Sequence, residues 1–555
     1  MTAVDPTTVG TTAPASLHTA LLDHADTGHI EGAFGRISIG HNDFPRTLKV
    51  RIGALMAIAG PGLIVMVGDN DAGGVATYVQ AGQNYGYSLL WVLLLLIPVL
   101  IVNQEMVVRL GTVTGVGHAR LINERFGRGW GAFSVGDLFL LNFLTLITEF
   151  IGITLAADYL GISRYVVVPF AAIALIAIMT TGSFRRWERA MLMFVAITLL
   201  QIPMVLMSHP DWAQASKAFV TPGVAGGVTS DALLLVIAMV GTTVAPWQLF
   251  FQQSNIVDKR ITPRFIGYER LDTTLGAFVV VIGAAALMMT GDWAARVTHS
   301  RGRFIDAGVL AHLLGQHNPV LGSVFAIVLL DASIIGAATV TLATSYAFGD
   351  VFGLKHSLNR GFAEVKPFYL SYTAMVVIAA AVVLFPGAPL GLITTGVQAL
   401  AGLLLPSATV FLLLLCNDRE VLGPWANRPW LNVVAGIIVG ALLLLSGILM
   451  ATTVFPHLDI VSVADDFAAG CAGCAAIIGI TLWWFARRQP KATMPEQLFR
   501  QFRKGERGSW RMPPLALLEP ATWSVGTRLG MVVLRGYLVV GAILLAVKAI
   551  QLGNA

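Results

Sequence analysis

Charge is scarce in this chain. Only 12% of its 555 residues are Asp, Glu, Lys or Arg, against about 25% in soluble domains, and that shortage excludes a soluble globular fold. Cysteine is scarcer still: Cys416, Cys471 and Cys474 all lie in or at apolar segments. Cys471-Ala-Gly-Cys474 has a metal-like spacing but no second pair, so it reads as small packing residues in a helix rather than as a zinc or redox site. No nucleophile or metal cluster of the kind an enzyme needs is visible. A net charge of +5 comes with no nucleic-acid motif, and in an apolar chain Lys and Arg report orientation before they report partners.

What is abundant is apolar. Hydrophobic residues make up 56% of the chain, gathered in blocks of about 18 to 25, the length a helix needs to cross a hydrocarbon core of about 30 Å. Lipid offers no water to backbone groups, so such blocks must be helices. About twelve or thirteen spans are expected, near 51–84, 87–111, 132–157, 165–182, 188–208, 231–255, 271–291, 320–348, 367–386, 390–416, 431–454, 466–486 and 527–550. The thirteenth follows a cluster of basic residues, and whether it spans stays open. Residues 1–45 are polar and lack an apolar signal segment, so a disordered cytoplasmic tail is expected there.

Basic residues recur in alternate loops: Arg120, Arg125 and Arg128; Arg185, Arg186 and Arg189; Lys259, Arg260 and Arg264; then Arg487, Arg488, Lys491, Arg500, Arg503 and Lys504. The opposite loops are short or acidic, as at Asp459, Asp465 and Asp466. This alternation predicts a cytoplasmic N-terminus.

Spans one and six are irregular. The first reads Gly60-Pro-Gly62 and then Gly68-Asp-Asn-Asp-Ala-Gly-Gly74; the sixth reads Gly241-Thr-Thr-Val-Ala-Pro246. Glycine and proline together break helices, and broken backbone at membrane depth survives only inside protein or beside a water-filled cavity. Breaks five spans apart are the spacing of two inverted five-span repeats that hold a substrate where their discontinuous helices meet. Asp71 falls in the first break, where a charged side chain is costly unless it faces a cavity and a counter-ion. One carboxylate beside carbonyls freed from the helix ladder is what a hard cation requires. Gly68 and Thr242 are placed to supply those carbonyls. Asp69 would face elsewhere on a strict helix and is expected only at the mouth. An anionic substrate would favour helix N-termini free of an acid, so the acid argues for a cation.

These residues resemble a known family. Pro61-Gly-Leu63, Asp71-Ala-Gly-Gly74, Gln80-Ala-Gly-Gln-Asn-Tyr-Gly-Tyr87 and Leu90-Trp91 look like the first two helices of the natural resistance-associated macrophage protein (Nramp) family of metal transporters. Arg109-Leu-Gly-Thr-Val-Thr-Gly115, Glu149-Phe-Ile-Gly-Ile-Thr-Leu-Ala156, Gly241-Thr-Thr-Val-Ala-Pro-Trp-Gln248 and Arg270-Leu-Asp-Thr-Thr274 resemble parts of its second, third, sixth and seventh helices. The likeness runs from about 55 to about 416. It implies an all-α polytopic transporter with a five-plus-five inverted repeat: a core over 46–416, two accessory helices over 417–486, and a basic cytoplasmic segment with an extra hydrophobic stretch over 487–555.

The departures from the family are informative. Its first-helix motif Asp-Pro-Gly-Asn keeps the Asp as Asp71, but Ala72 and Gly74 replace the Pro and Asn; its sixth-helix Met-Pro-His-Asn becomes Ala245-Pro246-Trp247-Gln248. Losing the methionine removes the soft thioether that favours soft transition metals. Mg2+ keeps several waters and needs only one or two carboxylates. The pattern resembles the Nramp-related magnesium transporter branch, which implies Mg2+ and Mn2+ as substrates rather than cofactors. The family's sixth-helix His falls at Trp247, the acid three residues before Glu149 falls at Leu146, and the basic residue expected early in the ninth helix is not evident in Phe368–Tyr372. Proton relays need titratable chains, so uncoupled movement is expected.

The expected metal site is Asp71, Gly68, Gly74, Thr242, Ala245 and Gln248, with Asp69, Glu149, Trp247, Asp331 and Gln398 as neighbouring or pathway residues. The expected partners are divalent ions and the bilayer of the inner membrane, with no nucleic acid and no obligate protein partner. Two rivals remain open. One is a proton-coupled Mn2+ or Fe2+ symporter with substitute relay residues such as Asp331; the other is a sodium-coupled organic-solute carrier on the same scaffold.

Overall fold

A computed structural model describes residues 29–37, 47–385, 390–454 and parts of 510–543. In chain order a short hairpin, β1 (Ile30–Gly32) and β2 (Gly35–Ile37), precedes α1 (Leu48–Ile58), α2 (Pro61–Val67), α3 (Ala72–Tyr85) and α4 (Leu90–Thr114). Then come α5 (His118–Phe126), α6 (Arg128–Tyr159), α7 (Arg164–Met179), α8 (Phe184–Ile197), α9 (Gln201–Met207) and α10 (Trp212–Val220). The second half holds α11 (Ser230–Thr243), α12 (Pro246–Asp258), α13 (Ile266–Thr298), α14 (Ala307–His317), α15 (Pro319–Phe352), α16 (Lys366–Leu384), α17 (Leu390–Asn417), α18 (Arg419–Leu422) and α19 (Pro429–Val454).

Among the described residues nine helical stretches are long and apolar enough to cross a bilayer, and α1 with α2, bent by 50°, makes a tenth. The 16-residue α7 rises only about 24 Å but sits between two full spans. The protein is therefore a multi-pass membrane protein. The expected span at 466–486 lies outside the described residues, and 527–550 lies only partly within them.

The first span breaks twice, where the sequence predicts one interruption. Besides the gap between α2 and α3, the chain bends at Gly60, whose φ of +146° suits only glycine. Asp272 of α13 holds that bend by accepting from the N–H groups of Gly60, Gly62 and Leu63 at 3.0, 2.9 and 3.1 Å. A second difference lies in the N-terminal segment. Residues 29–37, expected as part of a disordered tail, form an antiparallel hairpin packed on α1. Its turn is tied to α8, where the Ala33 N–H donates to Glu188 at 2.6 Å and Arg189 donates to the Ala33 carbonyl at 2.8 Å.

Packing shows the repeat. The helix after the first break, α3, lies on α13 of span seven; the helix after the sixth-span break, α12, lies correspondingly on α4 of span two. The third and eighth spans, α6 and α15, pack along each other, and α11 packs on α17 as α2 packs on α8. Glycines let these contacts close. A Cβ at Gly152 of α6 would fall on Ser333 of α15 and on Ala72, and one at Gly73 would fall on the amide of Gln398 in α17. The two breaks are thus pinned between α4, α6, α13, α15 and α17.

Candidate functional site

Between α2 and α3 the chain runs through Gly68, Asp69, Asn70 and Asp71 without helix. Asp71 is the N-cap of α3 and accepts from the Gly74 N–H at 2.7 Å. The next N–H, that of Ala72, goes to Glu149 Oε2 of α6 at 3.0 Å. In a continuous helix Ala72 would have bonded the Gly68 carbonyl; among the described residues no donor reaches that oxygen. Glu149 therefore holds the gap open from the side.

The sixth span breaks by a different route. After α11 ends at Thr243, Ala245 caps α12, which begins with Pro246. Proline has no N–H, so the Thr242 carbonyl, four residues back, loses its helical partner, and no other described donor replaces it. The Thr242 hydroxyl is also buried without a partner. Thr243 is fixed instead, donating to Met239 at 2.5 Å and pairing with the Tyr78 hydroxyl of α3 at 2.6 Å.

The two breaks meet at Gly74. A Cβ built there would lie 2.9 Å from the Asp69 carbonyl oxygen, 3.2 Å from Thr242 Oγ1 and 3.4 Å from Asp71 Oδ1. Three oxygens from both breaks thus lie within 3.4 Å of one point beside the Gly74 Cα. Gly336 of α15 closes the far wall, its missing Cβ falling 2.5 Å from Glu149 Oε2 and 2.9 Å from Asp71 Cβ.

Asp69 corrects the expectation from sequence. It does not sit at a mouth; it is 1% exposed and accepts from the Gln248 side-chain amide of α12, leaving its other oxygen without a donor. The strict-helix argument fails because residues 68–71 are not helical. Gln248 is held in turn by Gln104 of α4, whose Nε2 donates to Gln248 Oε1 at 3.1 Å. Asn70, between the two acids, turns away to donate to the Val280 carbonyl at 3.1 Å.

Of the other expected residues, Ala245 is buried at the cap of α12, Gln398 lies against Gly73, and Glu149 lies beside Asp71. Two do not join the group. Trp247 packs edge-on against Phe251, centroids 5.9 Å apart, an aromatic contact rather than a lining position. Asp331 is buried with neither carboxylate oxygen hydrogen-bonded, and no described contact joins it to the breaks. The sequence reading does not single out Gln104; the available signal is the polar run Asn103-Gln-Glu105 midway along a largely apolar 25-residue helix.

Electrostatics limits what this arrangement can do. Asp69, Asp71 and Glu149 are buried together, and among the described residues none of them has a basic partner within 4 Å. A mid-membrane carboxylate costs about 2.5–3.5 kcal/mol on insertion scales, and each charge-assisted hydrogen bond returns about 1.5–3. One donor apiece offsets part of that cost and supplies no positive charge, so the cluster carries an unmet demand for positive charge.

Comparison with known proteins bears on the family and the fold. Residues 62–452 match the family described as natural resistance-associated macrophage protein-like. The divalent metal cation transporter MntH of Ralstonia nicotianae is 30% identical over 403 residues, covering 69% of this chain and 87% of that protein. MntH of Lacticaseibacillus casei is 28% identical over 446 residues, covering 76% and 93%. The solved manganese transporter of Eremococcus coleocola has the same fold, with a TM-score of 0.58 at 20% identity, covering 80% of this chain and 96% of that one.

Proposed function

The chain belongs to the Nramp family, a family of transporters rather than enzymes, and from that premise we propose that it carries divalent metal cations, Mg2+ and Mn2+ foremost, by alternating access. The observation that carries this reading is the convergence of Asp71 Oδ1, Thr242 Oγ1 and the Asp69 carbonyl beside Gly74, with buried acids around it and, among the described residues, no basic partner. Asp71 and Asp69 supply charge. The freed carbonyls of Gly68 and Thr242 supply neutral oxygens, and Gln248 orients Asp69.

Ala245 stands where a thioether would select soft metals, so every ligand near the gap is oxygen, the donor set of hard ions. The absent side chain at Gly74 keeps these oxygens unobstructed, and Mg2+, which gives up its water reluctantly, needs few protein ligands. Transport is uncoupled from protons in this reading because Leu146 and Trp247 carry no titratable group. The basic loops support a cytoplasmic N-terminus, and the reading takes the membrane to be the inner one.

The test is a flux panel in liposomes with Mg2+, Mn2+ and Ca2+ outside and a pH-sensitive dye inside. Mg2+ and Mn2+ should enter without a pH change. Acidification in step with uptake would replace this reading with proton coupling, in which Glu149, close to Asp71 and with one unpartnered oxygen, would be the first relay to examine.

A further inference from the structure

Below the site the buried face of α12 is polar for its whole length. Gln248, Gln252, Asn255 and Lys259 follow at intervals of four, three and four residues, which puts them on one side of the helix, and none is more than 1% exposed. The upper end touches Asp69 through Gln248. The lower end is closed. Lys259 Nζ donates to Glu188 of α8 at 2.5 Å and to the carbonyls of Ile58 and Ala59, at the end of α1, at 2.6 and 3.0 Å.

Beside this stripe, in the first turn of α13, stands Glu269. It is fully buried; the Gln252 side-chain amide lies against it, but no described donor is in good hydrogen-bond geometry to either carboxylate oxygen. Charges nearby belong to Asp272, Lys259 and Glu188. Lys259 is committed to Glu188, and Asp272 is satisfied by the three N–H groups at the Gly60 bend. Gln252 lies alongside but donates its amide to the Thr273 hydroxyl at 2.8 Å, leaving its own carbonyl oxygen without a partner, as is the whole side-chain amide of Asn255. One carboxylate and two amides are therefore buried with unmet oxygens, on the side of the molecule where the sealed pair lies.

We propose that Glu269, with the amide oxygen of Gln252 beside it and that of Asn255 one turn further along α12, is a second and transient divalent-cation station on the release route, shut off from the cytoplasm by Lys259, Glu188 and the end of α1. This rests on the transport reading above. A hard cation passing down the polar face of α12 finds there one charge and two neutral oxygens, enough to hold an ion that keeps part of its water. A lone carboxylate binds more weakly than the upper cluster, which suits a point of departure. Movement of α1 away from α12 would free Lys259 from the Ile58 and Ala59 carbonyls and open the way out.

The experiment compares wild type, Glu269→Gln, Glu269→Asp and Asn255→Leu for Mn2+ flux in liposomes and for thermal stability without metal. Were Glu269 a protonated packing residue, glutamine would replace it without loss. The station predicts that Glu269→Gln lowers maximal flux by about tenfold or more, the loss of one charge-assisted contact, while the half-saturating external concentration and the stability stay unchanged. Glu269→Asp should restore part of the flux, and Asn255→Leu should slow it to a smaller degree. Wild-type maximal flux in Glu269→Gln overturns the station and leaves the transport reading standing. A wild-type protein that moves no divalent ion overturns both.

Discussion

The two breaks at the centre of this protein are made by opposite means. In the first span, side chains open the helix: Asp71 takes the Gly74 N–H and Glu149 takes that of Ala72, so carbonyls are released because carboxylates have claimed their donors. In the sixth span a missing donor opens it, Pro246 leaving the Thr242 carbonyl unpaired with no charge nearby on its own strand. The first break therefore brings charge and depends on partners in other helices. The second is neutral and is fixed by its own sequence. In the proposed site the charged half sets affinity and the neutral half sets selectivity.

That contrast can be broken at either half. Asp71→Asn keeps the cap on α3, since Asn and Asp cap helices about equally well, and removes the charge; Mn2+ uptake should fall by about a hundredfold or more, two units of charge-assisted contact at about 1.5–3 kcal/mol each. Glu149→Gln retains an oxygen for the Ala72 N–H and removes the neighbouring charge, for which about a tenfold loss of apparent affinity is expected. Pro246→Ala returns an N–H that can reclaim the Thr242 carbonyl; a loss of only a few-fold in affinity, read by calorimetry, is the expected cost of one neutral ligand. Smallest in overall rate is Ala245→Met, which should leave flux near normal and shift competition toward Cd2+ over Mg2+ by a few-fold. A swap of the ranking, with the sixth-span variants more damaging than the acids, would reverse the assignment of roles.

Gly74→Asn shows what the structure adds. From the motif alone the change should restore a family ligand. In the folded protein its Cβ would stand 2.9 Å from the Asp69 carbonyl, closer than real Cβ contacts run, so the backbone of the first break would have to shift. Loss of transport, not altered selectivity, is the expected result in a Mg2+ and Mn2+ uptake assay.

The breaks themselves were legible because glycine and proline punctuate a helix wherever they fall, and Asp71 was legible because a bare acid in an apolar run needs a reason. What could not be read depends on distant partners. The Gly60 bend is held by Asp272, more than two hundred residues on. The place of Asp69 is hidden from sequence because Glu149 keeps residues 68–71 out of a helix, so helical spacing does not hold there. Gln104 and Gln248 find each other only once α4 and α12 pack. The hairpin over 29–37 has the composition of a loose tail and is ordered by contacts with α1, Glu188 and Arg189.

The most direct measurement is an anomalous difference map from crystals of the protein soaked in Mn2+. The account predicts a peak between the two breaks, about 2–2.5 Å from a carboxylate oxygen of Asp71 and from the Thr242 carbonyl, absent in Asp71→Asn. A peak that persists in that variant, or one that touches neither break, would contradict it.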